Sequence, residues 1–288
     1  MHNVVKDYRD NAVLRKSFNE LAGKTFGINF EDWYQNGFWT DKYNPYSIVI
    51  DEKIVANVSV NQTDMCFDGK VKHFIQLGTV MTDEAYRNQG LIREIMEQID
   101  ADYQGKVDGM YLFSNDSVVT FYPKFGFQKG VEYQYTKQIT NKGKNQFEKI
   151  VMDNATAWRQ LENVMEQSVF HGRFDMVNNK ELNMFYVTKY LQESVYYHKD
   201  TDTYVIADVE NDKIFIQNVF SGKLTELDDI LMLFGEDIRE VTLGFTPIDT
   251  ESYQMAELHE EDCTFFVKGK ELEIMEREKL RIPALSHA

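Results

Sequence analysis

The sequence predicts a mixed α/β protein built as two domains of related design. Three observations lead there. The chain has 288 residues, and at roughly 100–200 residues per domain this is most simply two domains. Strand-like runs alternate with helical periodicity in both halves. Asn141-Lys-Gly-Lys-Asn145 has no apolar side chain, and the charge balance changes there: residues 1–150 hold 18 Lys and Arg against 20 Asp and Glu, residues 151–288 hold 13 against 27. The domains are expected at 1–140 and 146–288.

In the first half, residues 11–23 read as an amphipathic helix ending at Gly23. A short helix is expected over Phe30 to Gln35, stopped near Asn36-Gly37. Residues 46–50 and 53–60 read as a hairpin turning at Asp51-Glu52, and Asp68-Gly69 marks the next turn. Val71 to Met81 is a strand. Gly90 to Tyr103 has Leu91, Ile92, Ile95, Met96 and Ile99 at helical spacing. Gly109 to Phe113 is a short strand, Ser117 to Tyr122 a short helix, and Phe127 to Ile139 a long strand or strand pair.

In the second half, helices are expected at Ala155–Gln167 and Leu182–Leu191. A hairpin follows over 203–209 and 213–220, turning at Asn211-Asp212. Leu227 to Phe234 reads as a short helix, Glu240 to Phe245 and Cys263 to Val267 as strands. Both halves run helices, hairpin, strand, helix, strand, and Phe74-Ile75-Gln76 recurs as Phe215-Ile216-Gln217, which suggests a degenerate internal repeat.

Composition limits the function classes. The net charge of −16 disfavours a nucleic-acid or anionic-membrane partner, since both need a basic surface. No apolar run reaches the ~20 residues of a membrane span, and the first residues have no apolar signal core. Cys66 and Cys263 lie far apart and make neither a disulfide framework nor a zinc-ligand spacing, and a reducing cytoplasm is the expected compartment.

The chemistry concentrates in Val80-Met81-Thr82-Asp-Glu-Ala-Tyr-Arg87-Asn88-Gln89-Gly90-Leu91-Ile92-Arg93. A strand ends, a polar loop follows, and a helix starts at a glycine. Free amides and the positive dipole end at a helix N-terminus cradle phosphate. Gly90 lets the backbone approach an anion, and Arg87 and Arg93 add positive charge. Downstream lies Asn115-Asp-Ser-Val-Val-Thr-Phe-Tyr122-Pro-Lys-Phe-Gly126-Phe127.

Together these segments resemble the GCN5-related N-acetyltransferase (GNAT) superfamily. Arg87 and Gly90 match the motif that opens its pyrophosphate-binding helix. Asn115, Tyr122, Gly126 and Phe127 match the motif that closes the site. Ile92 departs from the Gly or Ala usual at its position, where a branched side chain would crowd the phosphate. Within the superfamily, the order of elements is most similar to tandem-domain enzymes of the enhanced-intracellular-survival type, without the third domain those carry.

The resemblance implies a GNAT fold with a mixed, splayed central sheet, followed by a degenerate GNAT-like domain. It implies acetyl-CoA as cosubstrate, direct transfer to a primary amine of a small cationic acceptor in a ternary complex, and no metal. Val80, Met81 and Thr82 would meet the pantetheine, with the Val80 amide at the thioester oxygen. Asn88 to Arg93 would hold the pyrophosphate, and Tyr122 would protonate the leaving thiolate. The alternative for Tyr122 is a buried tyrosine bonded to a carbonyl. Two other functions stay open: a coenzyme A-binding regulatory module without turnover, and an acetyltransferase of protein amino groups.

Acceptor-side candidates are Glu31, Trp33 and Trp39 in an aromatic-rich stretch, with His287 and Ala288 in a tail expected to pack on the first domain. No general base is legible. His73 and Gln76 occupy suitable strand positions, and Glu31 and Asp32 are alternatives. The second half has no phosphate loop, because Glu226, Asp228 and Asp229 cluster where its helix should begin.

Overall fold

A computed structural model describes residues 2–169, 171–223 and 225–287. The elements run β1 (Val4–Val5), α1 (Ala12–Phe26), α2 (Glu31–Gln35), β2 (Tyr43–Ile50), β3 (Lys53–Phe67), β4 (Lys70–Thr82), α3 (Leu91–Tyr103), β5 (Gly109–Ser114), β6 (Gln128–Lys129) and β7 (Tyr133–Gln138). They continue with β8 (Glu148–Ile150), α4 (Ala155–Gln167), β9 (Phe174–Val177), α5 (Lys180–Lys189), β10 (Val195–His198), β11 (Thr203–Glu210) and β12 (Lys213–Ser221). The chain closes with α6 (Leu227–Met232), β13 (Glu240–Leu243), β14 (Gln254–Glu257), β15 (Thr264–Lys268) and α7 (Ile274–Arg277).

Local chemistry explains these boundaries. The Asn11 side chain accepts from the amides of Val13 and Leu14 and opens α1, and Gly27 closes it at φ +71. Asp51 and Glu52 both take positive φ, the conformation of a tight hairpin turn between β2 and β3. Helix α3 buries Leu91, Ile95, Met96 and Ile99 against the sheet. The helix expected at 117–122 is instead two single 3-10 turns, Asp116–Val118 and Tyr122–Phe125. Pro123 has no N–H to extend the first, and Gly126 at φ +85 ends the second.

The strands form two mixed sheets. The first has the order β1-β2-β3-β4-β5-β15-β6, with β9 added on β3; the second has the order β14-β7-β13-β12-β11-β10-β8. Each contains one parallel pair, β4 with β5 and β12 with β13. The sheets exchange strands. β15, from the end of the chain, lies between β5 and β6, while β7 crosses to pair with β13 and β14. The run 127–139 is therefore two strands serving different sheets, divided at Gly130–Glu132. At Gly130 a Cβ would lie 2.5 Å from the Phe265 ring of β15, so only glycine permits that approach. The Glu132 carboxyl is buried and accepts from the Ile282 amide at 2.8 Å.

The aromatic stretch of the first half is core. Phe30, Trp33, Trp39 and Tyr43 pack in one cluster with Leu161, Met184 and Val187 of α4 and α5. That cluster joins the two halves. No helix among the described residues is long and apolar enough to cross a membrane.

Candidate active site

The cleft begins where the parallel pair stops. β4 and β5 are in register from Phe74 opposite Gly109 to Leu77 opposite Leu112. β4 then runs on to Thr82, while β5 runs on beside β15, with Ser114 opposite Thr264. The opening falls between the ends of two parallel strands, where open α/β sheets bind ligands.

A bulge shapes its wall. Gly78 pairs with Ser59 and Met81 with Asn57, so Thr79 and Val80 have no partner in the register. Thr79 has φ +47, a left-handed conformation that is strained for a β-branched residue. A polar network within the sheet holds it there. The Asn57 amide donates to the Thr79 carbonyl at 2.9 Å, Ser47 donates to Asn57 at 2.8 Å, and the Tyr8 and Ser47 hydroxyls are 2.8 Å apart. On the other side the Tyr43 and Thr79 hydroxyls are 2.7 Å apart. The bulge takes Val80 out of the ladder and points to an open backbone group.

The loop after β4 turns sharply. Asn88 is at φ +62 and Gly90 at φ +82, and no side chain caps α3. The amides from Asn88 to Arg93 donate to no acceptor among the described residues. A Cβ on Gly90 would touch nothing within 4 Å, so the space above the loop is open. Arg87 is exposed and lies 3.7 Å from Glu84. Ile92 packs against the core cluster that contains Tyr122. This run of donors at a helix N-terminus fits a diphosphate.

Tyr122 sits in that core cluster, its ring 5.4 Å from Phe121, 6.3 Å from Phe127 and 5.7 Å from Phe266. Phe266 belongs to β15, so the second half supplies one wall of the tyrosine's pocket. The residue is 5% exposed, and burial pushes its phenol up to about 12. Its hydroxyl makes no hydrogen bond among the described residues. Asn115 is exposed and donates to Asp262 at 2.7 Å.

A cavity of about 240 Å³ adjoins the bulge, lined among others by Phe30, Trp33, Tyr43, Thr79, Phe185 and Tyr186. The rings of Phe30 and Phe185 stack at 5.5 Å. Trp33 faces this cavity and donates its indole N–H to the Glu181 carbonyl at 2.9 Å. Trp39 lies behind it, stacked at 6.1 Å and bonded to the Tyr43 carbonyl. Phe185 and Tyr186, which α5 delivers from the second half, carry no signal of this role in their own segment. Asn57 was a readable signal, a polar residue inside the apolar run 54–60.

The remaining candidates are dispersed. Glu31 is gripped by Arg15 at 2.9 Å and by Gln35 at 2.7 Å, and the guanidinium holds its carboxyl below the usual range. His73 lies toward the other end of β4, paired with Asp64 at 2.8 Å, which raises its pKa. His287 is half-buried, its ring stacked on Phe113 at 3.9 Å and its carbonyl accepting from the Tyr186 hydroxyl. Burial pushes its imidazole down to about 3, so it is neutral. Ala288 lies outside the described residues. In the second half, α6 starts at Leu227 with Asp228 and Asp229 in its first turn and no side-chain cap, a site that repels phosphate.

A family model described as an acetyltransferase (GNAT) domain matches residues 12–130. The chain is similar to three solved structures. One is a probable N-acyltransferase from Enterococcus faecalis V583, with 16% identity over 94% of this chain and 73% of that one and a TM-score of 0.61. Another is Eis1 from Mycobacterium abscessus, with 10% identity over 87% and 70% and a TM-score of 0.53. The third is a GCN5-related N-acetyltransferase from Kribbella flavida, with 15% identity over 92% and 70% and a TM-score of 0.51. No curated protein matches.

Proposed function

On the premise that residues 12–130 are a GNAT acetyltransferase domain, the first of two such folds in tandem, we propose that the protein transfers an acetyl group from acetyl-CoA to a primary amine of a small acceptor. Acetyl-CoA supplies an acetyl thioester. The amides of Asn88 to Arg93 bind its diphosphate, with Arg87 and Arg93 adding positive charge at the rim. The Val80 amide, freed by the bulge, stabilises negative charge on the carbonyl oxygen. The amine nitrogen forms a C–N bond as the C–S bond breaks. Tyr122 gives its proton to the departing sulfur, and the nitrogen loses one to solvent. A phenol held at about 12 keeps that proton ready at neutral pH. The rest of the acceleration is positioning.

The acceptor enters through the aromatic cavity beside Thr79. Its lining has no carboxylate, Glu31 is neutralised by Arg15, and Lys189 stands 5.6 Å from the Phe185 ring. These features favour a single amine on an apolar body as the form of the small cationic acceptor expected from the sequence. The carrying observation is that Val80 of the bulge, Leu91 and Ile92 at the helix start and the unbonded phenol Tyr122 share one packed cluster.

Thiol release from acetyl-CoA over a panel of small amines, polyamines and peptides tests this reading. Tyr122→Phe should lower kcat at least about tenfold with little change in KM for acetyl-CoA. Unchanged kcat would remove the tyrosine from the mechanism. Glu31 is paired with Arg15, and His73 with Asp64 toward the other end of β4, so neither serves as base, which favours a second reading. Coenzyme A binding with no turnover on any amine would establish that reading, a regulatory module.

A further inference from the structure

We propose a second ligand site, a cavity of about 1110 Å³ formed mostly by the second half and closed by Lys42, Cys66, Asp68, Gly69 and Val71 of the first, that takes a small amine with an apolar body. The site stands apart from acetyl transfer and needs only the tandem fold.

Its position repeats that of the first cavity. The first lies between the end of α1, α2 and the bulge of β4. The second lies between the end of α4 (Met165, Glu166), the start of α5 (Lys180, Glu181, Asn183) and the end of β12 (Val219, Phe220). β12 also carries a register shift, at Gln217, and also pairs in parallel with the strand that follows its helix. The nucleotide side has no counterpart, because Asp228 and Asp229 occupy the helix start. What remains is an acceptor-type cleft without a thioester: a place to bind, not to react.

The lining defines the ligand. Val71, Val169, Val177, Val219 and Phe220 give it apolar walls. Its cations are already matched: Arg173 with Asp68 at 3.1 Å and Glu278 at 3.0 Å, Lys180 with Glu162 at 3.3 Å and with Glu166, Lys42 with Glu181 at 3.7 Å. One carboxylate is left over. Asp175 is 6% exposed and has no ion-pair partner among the described residues, though the amides of Met176 and Gly172 and the Asn218 side chain orient it. A buried carboxylate without a cation is costly. An ammonium removes that cost, and apolar walls select a hydrocarbon body behind it. Burial has pushed the Asp175 carboxyl up to about 7, as expected where a counter-charge is missing.

Isothermal titration of the full chain with hexylamine, against hexan-1-ol as its uncharged counterpart, tests the site. Hexylamine should bind at one site with a Kd of about 1 mM or tighter, and the alcohol at least about tenfold more weakly. Asp175→Asn should weaken the amine about tenfold. Because a core variant can unfold, Ile248→Lys provides a second arm. Ile248 lines the cavity and is 57% exposed, so the change puts a repelling charge at the mouth without touching the core. Tyr190→Lys makes the equivalent change at the rim of the first cavity, where Tyr190 is 52% exposed. Weakening by Ile248→Lys and not by Tyr190→Lys supports the proposal. Absence of binding, equal binding of alcohol and amine, or sensitivity to Tyr190→Lys alone overturns it.

Discussion

Glu132→Gln should reverse part of the protein's pH dependence. Glu132 lies where the chain leaves the first sheet for the second. Its side chain accepts from the Ile282 amide, and its carbonyl accepts from the Leu258 amide. Burial is the main cause that raises its carboxyl from 4.5 to about 7; the Ile282 hydrogen bond and Arg281 pull the other way, and Glu260 adds to the rise. Below pH 4.5 both folded and unfolded chains hold the proton, and the site costs nothing. Between 4.5 and 7 the unfolded chain releases a proton that the folded chain keeps, so stability falls as pH rises. At about 1.4 kcal/mol per pH unit the full cost is about 3 kcal/mol, reached above pH 7. The sequence pI of 4.8 makes the lower end prone to precipitation, so the useful window is about pH 5.5 to 8.5. Across it the linkage relation gives wild type a loss of about 2 kcal/mol that the glutamine, which cannot ionise, does not share. Urea unfolding of both proteins at matched pH values measures this. Asp175, also raised to about 7, bends both curves alike, so the difference isolates residue 132. Parallel curves would mean that Glu132 reaches water in the folded state.

Gly90→Ala should add roughly 1 kcal/mol of backbone strain at φ +82 and raise KM for acetyl-CoA about tenfold, read by initial rates against melting temperature. Asn57→Ala removes the donor that holds the Thr79 carbonyl and orphans its sheet neighbours; stability should drop by about 2 kcal/mol and kcat should fall with it, whereas a merely structural role would leave kcat unchanged. Gly130→Ala drives a methyl into Phe265, whose ring is packed 5.2 Å from Phe113, and should cost about 1–3 kcal/mol by denaturant titration.

The elements themselves were legible. Alternation, helical spacing and turn pairs located α1, α3, α4 and both long hairpins within a few residues, because those signals act over one or two turns of chain. The shape of the loop before α3 was legible for the same reason: Arg87 to Arg93 is a single contiguous turn, and Gly90 is needed for its own backbone at φ +82. The strand exchange was not. β15 pairs with β5 across about 150 residues, and nothing in either segment's own composition selects its partner. The wall of the cavity beside Thr79 was hidden too. Trp33 and Trp39 read alike, and only the packing of α5 turned one toward the cavity and sealed the other behind it. Glu31 read as a free helix-terminal carboxylate until the fold brought Arg15 beside it. Short-range stereochemistry is written in neighbouring residues. Which face is covered, which charge is neutralised and which strand fills a gap depend on surfaces that meet only after the chain has folded.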